Sequence, residues 1–237
     1  MRSDITSIPI SEVFEPKEGC PICRMRNTLE KRMAEYITGA AMMEPDVRME
    51  TNRLGFCIDH FRDILKQRNR LGVALILESH LAQTEQEIFK GLPIIGKSGK
   101  KQAKHAASHG DTCFICQQVD WAMERMLATV CRLWESEKDF RRLFEEQEAL
   151  CLPHFSLLVQ AAETNMNKKN VGDFSKAASA LSQQYLSQLR QDVSHFCKMF
   201  DYRNRDADWG NARTAVSRTV DKISGATIAP SDKGESK

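Results

Sequence analysis

Eight side chains of metal-ligating type fall into two copies of one pattern. The first copy is Cys20-Pro21-Ile22-Cys23 followed by Cys57-Ile58-Asp59-His60, and the second is Cys113-Phe114-Ile115-Cys116 followed by Cys151-Leu152-Pro153-His154. The copies are offset by 93 residues at the CxxC pairs (20 to 113, 23 to 116) and by 94 at the CxxH pairs (57 to 151, 60 to 154). Three thiolates and one imidazole match the borderline softness of zinc and complete a tetrahedral shell with no open position. The expectation is two structural zinc ions. The weaker alternatives for the same ligands are an iron–sulfur cluster with one histidine ligand and a reversible thiol switch.

Spacing alone does not decide which CxxC shares an ion with which CxxH. Pairing within each repeat is the simpler arrangement because each copy is complete. A cross-repeat arrangement, or sites shared in a dimer, stays open.

The elements that must position these ligands read as helices. Val119, Ala122, Met126, Val130 and Leu133 share one helical face, as do Ala74, Leu77, Leu81 and Ile88 in the first copy. Leu186, Leu189, Val193, Phe196 and Phe200 form a longer stripe at spacings of three and four. No segment sustains the period-two alternation of a strand. Pro45 and Gly55 mark breaks. The one-residue slip lies between Arg48/Arg141 and Cys57/Cys151, so a loop or helix end is expected just before each CxxH.

The predicted fold is therefore all-α, a bundle of two duplicated helical-hairpin repeats, each clamped by a Cys3His site, plus a C-terminal helix. The repeats span 13–90 and 113–200, with a Gly/Lys-rich basic linker over 91–112 read as flexible or partly ordered. A charged turn and a last helix occupy 201–225, the helix with Trp209, Ala212, Val216, Val220 and Ile223 on one face. Residues 226–237 read as a disordered tail.

Composition narrows the function classes. The 237 residues are 41% hydrophobic and 28% charged, ordinary for a globular protein. The formal charge of +2 falls to zero once six thiolates and two divalent ions are counted, which argues against a nucleic-acid partner. No run approaches the roughly 18 apolar residues of a membrane span, and the N-terminal residues lack a signal-peptide pattern. The expected compartment is the cytoplasm, where cysteines stay reduced and CxxC pairs favour metal over disulfides.

No phosphate loop, GxSxG elbow, Rossmann fingerprint or HExxH motif is present. Glu145, Glu146 and Glu148 read as a solvated helix face. Cys131 and Cys197 lack a counterpart at the repeat offset and read as core residues. His80, His105, His109 and His195 read as surface or core residues without a role.

The duplicated CPxC…CxxHF pattern, with the tail Phe200-Asp201-Tyr202-Arg203-Asn204…Asp208-Trp209-Gly210, resembles a family of uncharacterised bacterial proteins classed as a domain of unknown function. The resemblance spans roughly Val13 to Gly225, although Phe114 stands in the second copy where the first has Pro21. It implies a bacterial cytoplasmic protein with metal sites and supplies no established activity. The reading these observations favour is a non-catalytic, zinc-stabilised scaffold that binds a protein partner or itself. A redox- or metal-responsive regulator using the CxxC pairs is the alternative, and an iron–sulfur or other metalloenzyme a further one.

Overall fold

The computed structural model describes residues 10–89, 99–108, 110–204 and 207–225, and all its regular structure among them is helical. In chain order the α-helices are α1 (Ile10–Phe14), α2 (Pro21–Thr38), α3 (Pro45–Leu54), α4 (Ile58–Lys66), α5 (Arg70–Phe89), α6 (Gly99–Ser108), α7 (Phe114–Ser136), α8 (Lys138–Glu145), α9 (Leu152–Asn165), α10 (Lys168–Lys198) and α11 (Ala215–Ser224). The four helices α2–α5 thus recur in the same order as α7–α10. Short 3-10 turns lie at Ala40–Met43, Tyr202–Asn204 and Gly210–Thr214.

The breaks follow local chemistry. Pro45 occupies the first turn of α3, where its missing N–H costs nothing. Gly55 ends that helix at φ +60°, ψ −156°, a conformation closed to residues with a Cβ. A loop precedes each CxxH as expected, residues 55–56 after α3 and 146–150 after α8. The basic segment contains a helix, α6, while its residues 91–98, like His109 and the tail 226–237, lie outside the described residues.

The helices form two compact units, and these do not follow the repeats. Among the described residues, one unit lies within 28–123 and the other joins 10–27 to 124–225. The CxxC turn of each copy therefore belongs to the unit that carries the other copy's CxxH.

In the unit holding residues 10–27, an aromatic cluster forms the core. Phe14 packs on Phe140 with ring centroids 5.2 Å apart, Phe144 on Phe174 at 5.2 Å, and Trp134 on Phe174 edge-on at 5.3 Å. In the Thr28–Met123 unit, Met33, Ile37, Ile64, Val73, Ile76 and Val119 are buried.

Burial confirms the expected face of α7 through Val119, Ala122, Met126 and Val130, with Leu133 half-buried. Elsewhere it corrects the expected faces. In α5, Ala74 and Leu81 are exposed, and the chain buries Val73, Ile76 and His80 instead. His80 fits because its Nδ1 lies 3.0 Å from the Asn52 carbonyl oxygen, so the polar ring is satisfied inside.

The stripe on α10 is rotated too. Phe174, Ala178, Leu181, Tyr185 and Leu189 are buried, while Phe200 is exposed. On α11 the buried residues are Ala215 and Lys222, leaving Val216, Val220 and Ile223 exposed. Lys222 tolerates burial because its ammonium lies 4.8 Å from the centre of the Tyr185 ring.

Candidate metal centres

Each CxxC forms the first turn of a helix rather than a free-standing loop. Cys20 precedes α2, and its carbonyl accepts the Arg24 N–H at 3.2 Å; Cys113 precedes α7 and accepts from Gln117 at 3.1 Å. Cys57 and Cys151 stand as the N-caps of α4 and α9, in extended conformation, and accept from Phe61 at 2.9 Å and Phe155 at 2.8 Å. All four ligand pairs therefore sit at N-cap and N3 of a helix. The spacing C-x-x-C or C-x-x-H places both side chains of a pair over the same end of the axis.

Two such helix ends meet at each centre, and they come from different copies. Cys20, Cys23, Cys151 and His154 form one group, and Cys57, His60, Cys113 and Cys116 the other, with the four ligand atoms of each group within 4.8 Å of one another. The simpler arrangement, in which each repeat clamps its own hairpin, is thereby corrected: the pairing is crossed. Sequence spacing is the same for both arrangements, so only the tertiary fold distinguishes them.

In the first group the His154 Nδ1 lies 3.7 Å from Cys20 Sγ, 3.2 Å from Cys23 Sγ and 3.1 Å from Cys151 Sγ, and Cys23 Sγ is 3.6 Å from Cys151 Sγ. In the second group the His60 Nδ1 lies 3.2 Å from Cys57 Sγ, 3.2 Å from Cys113 Sγ and 3.4 Å from Cys116 Sγ, with Cys57 and Cys116 sulfurs 3.9 Å apart. A tetrahedral ion with metal–sulfur bonds near 2.3 Å and metal–nitrogen bonds near 2.0–2.1 Å has edges of about 3.8 Å between sulfurs and about 3.6 Å from sulfur to nitrogen. The observed separations, 3.1–3.7 Å from sulfur to nitrogen and 3.6–3.9 Å between sulfurs, lie within about 0.5 Å of those edges. The residues present fit a single four-coordinate ion in each group.

Backbone contacts fix each crossed pair. Phe114 N–H donates to the Gly55 carbonyl at 2.9 Å, and the Thr112 hydroxyl donates to the Leu54 carbonyl at 2.7 Å, holding the second CxxC to the loop before the first CxxH. In the other group the Gly19 N–H donates to the Glu148 carboxylate, from the loop before the second CxxH. Glu148 is thus more than a solvated side chain. Glu146 likewise pairs with Lys17 at 2.6 Å.

The electrostatics call for a cation. Burial disfavours the Cys20 thiolate, yet its contacts with Cys151, Cys23 and His154 outweigh burial and hold Cys20 well below the usual thiol range. The neighbouring Cys23 pays the opposite way, pushed up by Cys151 and Cys20. Burial disfavours the His154 cation, but Cys151 and Cys20 raise its imidazole to about 9. Burial and then the Cys113 charge push Cys116 up. Three sulfurs packed this closely cannot all carry charge unless a positive ion, aided by two helix N-termini, compensates them.

Beyond the ligand atoms, the Glu30 carboxylate lies 3.8 Å from the His60 Nε2, the ring nitrogen that faces away from the sulfurs. Sequence periodicity gives no signal for this residue, which looks like any helix-surface acid. Beside the first group, a cleft of about 370 Å³ is lined by Cys20, Cys23, Arg24, Tyr185 and Lys222, among others.

The remaining singled-out residues separate cleanly. Cys131 is fully buried, and burial followed by the Glu135 charge pushes its thiol up to about 12, as suits a core residue. Cys197 is exposed, which corrects its reading as core. The His195 Nε2 lies 2.9 Å from the Asp208 carbonyl oxygen. The placement of His105's side chain and of His109 lies outside the described residues.

With both crossed Cys3His groups in place, the comparison with family models is decisive: the model of a family of unknown function (DUF6062) matches residues 1–230. The chain belongs to the DUF6062 family. No curated protein and no solved structure matches it. Membership carries no activity with it. Among the described residues, no helix of this DUF6062 protein is long and apolar enough to cross a membrane.

Proposed function

We propose that this protein is a bacterial, cytoplasmic, zinc-stabilised helical scaffold that binds a protein partner or a second copy of itself and catalyses no reaction. The observation that carries the reading is the completeness of the two ligand groups. Each offers three sulfurs and one imidazole nitrogen at tetrahedral separations, so an ion held there has no position left for water or substrate. Such an ion supplies folding free energy, on the order of 10 kcal/mol in small zinc modules.

Zinc is favoured over an iron–sulfur cluster because all four ligand atoms of each group lie within 4.8 Å of one another. Ligands shared among several irons stand further apart than ligands on one ion. The surface offered to a partner centres on the turn after α10, where Phe200 is 73% and Tyr202 87% exposed. Trp209 supports that turn from beneath, edge-on to Phe196 at 5.7 Å and Phe200 at 6.0 Å.

Elemental analysis of protein purified without added metal tests the reading. About two zinc ions per chain in colourless protein is the expected result; iron with visible absorbance, or no metal, overturns it. The redox-regulator alternative gains support from one feature, the half-exposed thiols at the Cys57/Cys116 centre.

A further inference from the structure

The geometry points to Cys57 and Cys116 as an oxidative modification site, a pair that hydrogen peroxide converts to a disulfide with release of the ion from this centre before the other. The inference rests on the proposal that both centres hold zinc. It starts from an asymmetry between them. Cys57 and Cys116 are both half-exposed, and their sulfurs are 3.9 Å apart. In the other group only Cys23 is half-exposed, while its neighbour Cys151, 3.6 Å away, is 1% exposed and Cys20 is 4% exposed.

The Cys20/Cys23/Cys151/His154 group has further chain packed beside it. This is the C-terminal end of helix α11. A Cβ on Gly19 would stand 3.8 Å from the Lys222 Nζ, and a Cβ on Gly225 would lie 2.8 Å from the Pro153 Cγ. The helix thus touches the residue preceding the CxxC and the proline within the CxxH. The cleft beside Cys23 is lined by three cations, Arg24, Arg218 and Lys222, and three acids, Glu18, Glu148 and Asp221.

A carboxylate faces the histidine of the exposed pair's centre. Glu30 faces the His60 Nε2 at 3.8 Å, and a carboxylate on the distal nitrogen of a ligating histidine increases the electron density its ring donates to the metal. A zinc ion with three thiolates and such a histidine leaves the sulfurs nucleophilic. Cys113 is more shielded: it is 7% exposed, and the Cys116 N–H points at its sulfur from 3.5 Å.

The chemistry balances with peroxide as the sole oxidant. One thiolate of the pair attacks a peroxide oxygen, becomes a sulfenic acid and releases hydroxide. The second thiolate displaces hydroxide from that sulfur, forming the S–S bond. Two protons from the buffer neutralise both hydroxides, so two thiolates lose two electrons, one peroxide gains them, and two waters result. The zinc ion, left with two of four ligands, departs. Forming the disulfide brings the two sulfurs from 3.9 Å to roughly 2.05 Å at two half-exposed positions.

The test uses the full chain, with zinc content measured first. Sub-stoichiometric and then equimolar hydrogen peroxide is added while a chromophoric chelator reads released zinc, and non-reduced peptides are mapped by mass spectrometry. The expected result is a fast phase of one zinc per chain, accompanied by a Cys57–Cys116 disulfide, and a slower second phase. The Glu30→Gln variant, retaining two zinc ions, slows the fast phase several-fold and leaves the slow one unchanged. Simultaneous release of both ions, or a first disulfide among Cys20, Cys23 and Cys151, overturns the inference. Absence of zinc before peroxide is added instead overturns the zinc proposal on which it rests.

Discussion

The Nδ1 of His154 lies 3.2 Å from the Sγ of Cys23, a residue 131 positions earlier in the chain. This contact joins the CxxC of the first copy to the CxxH of the second, and the Cys113–His60 contact at 3.2 Å does the converse. The duplication therefore exchanges its helix ends between copies. An ion at either centre would join ligands from both copies within one compact unit.

The ion pair between Asp192 and Arg218 predicts an acid-sensitive contribution in the unit that carries α11. Burial works against the Asp192 carboxylate, but the 2.8 Å bond from Arg218, with a further one from Gln188, holds it below the usual carboxylate range. A depressed folded value stabilises above the unfolded value of about 3.9, and that stabilisation is lost as pH falls through the folded one. Asp192→Asn is expected to cost about 1–3 kcal/mol at pH 7. Urea unfolding at pH 7 and pH 3 should show the variant and the parent converging in acid; a constant difference contradicts the assignment.

Alkylation should distinguish the two cysteines outside the metal groups. Cys197 is exposed and Cys131 fully buried with its thiol pushed up. In metal-loaded native protein, iodoacetamide is expected to label Cys197 rapidly and Cys131 only after unfolding. Rapid labelling of Cys131 would contradict its place in the core.

Gly55 is the turn on which the second centre's backbone clasp depends. Its φ of +60° and ψ of −156° suit glycine, and a Cβ there would come within 2.9 Å of the His80 Cε1. Gly55→Ala should lose about 1–3 kcal/mol from backbone strain alone. It should also weaken metal retention at the Cys57/Cys116 centre, because the Gly55 carbonyl accepts the Phe114 N–H. Thermal unfolding and zinc content read both effects, and a variant with parental stability would contradict the account.

The ligand types, the helix boundaries at Pro45 and Gly55 and the loop before each CxxH were legible because each is a local property of a few residues. The pairing of CxxC with CxxH was not, since crossed and uncrossed arrangements demand the same sequence. The buried faces of α5 and α11 escaped for a related reason. Periodicity ranks side chains by apolarity, whereas burial here follows partners: His80 has the Asn52 carbonyl, and Lys222 has the Tyr185 ring. Leu81 and Val220 lack comparable packing and stay exposed. Glu30 gave no signal because its significance lies in a contact with His60, made 30 positions away.

The most direct test of crossed pairing is differential alkylation of a Cys57→Ser variant, read by mass spectrometry beside its zinc content. The variant should fall from two zinc ions per chain to one, with Cys113 and Cys116 becoming reactive while Cys20, Cys23 and Cys151 stay protected. Protection of Cys113 and Cys116 with exposure of Cys20 and Cys23 would contradict the crossed arrangement.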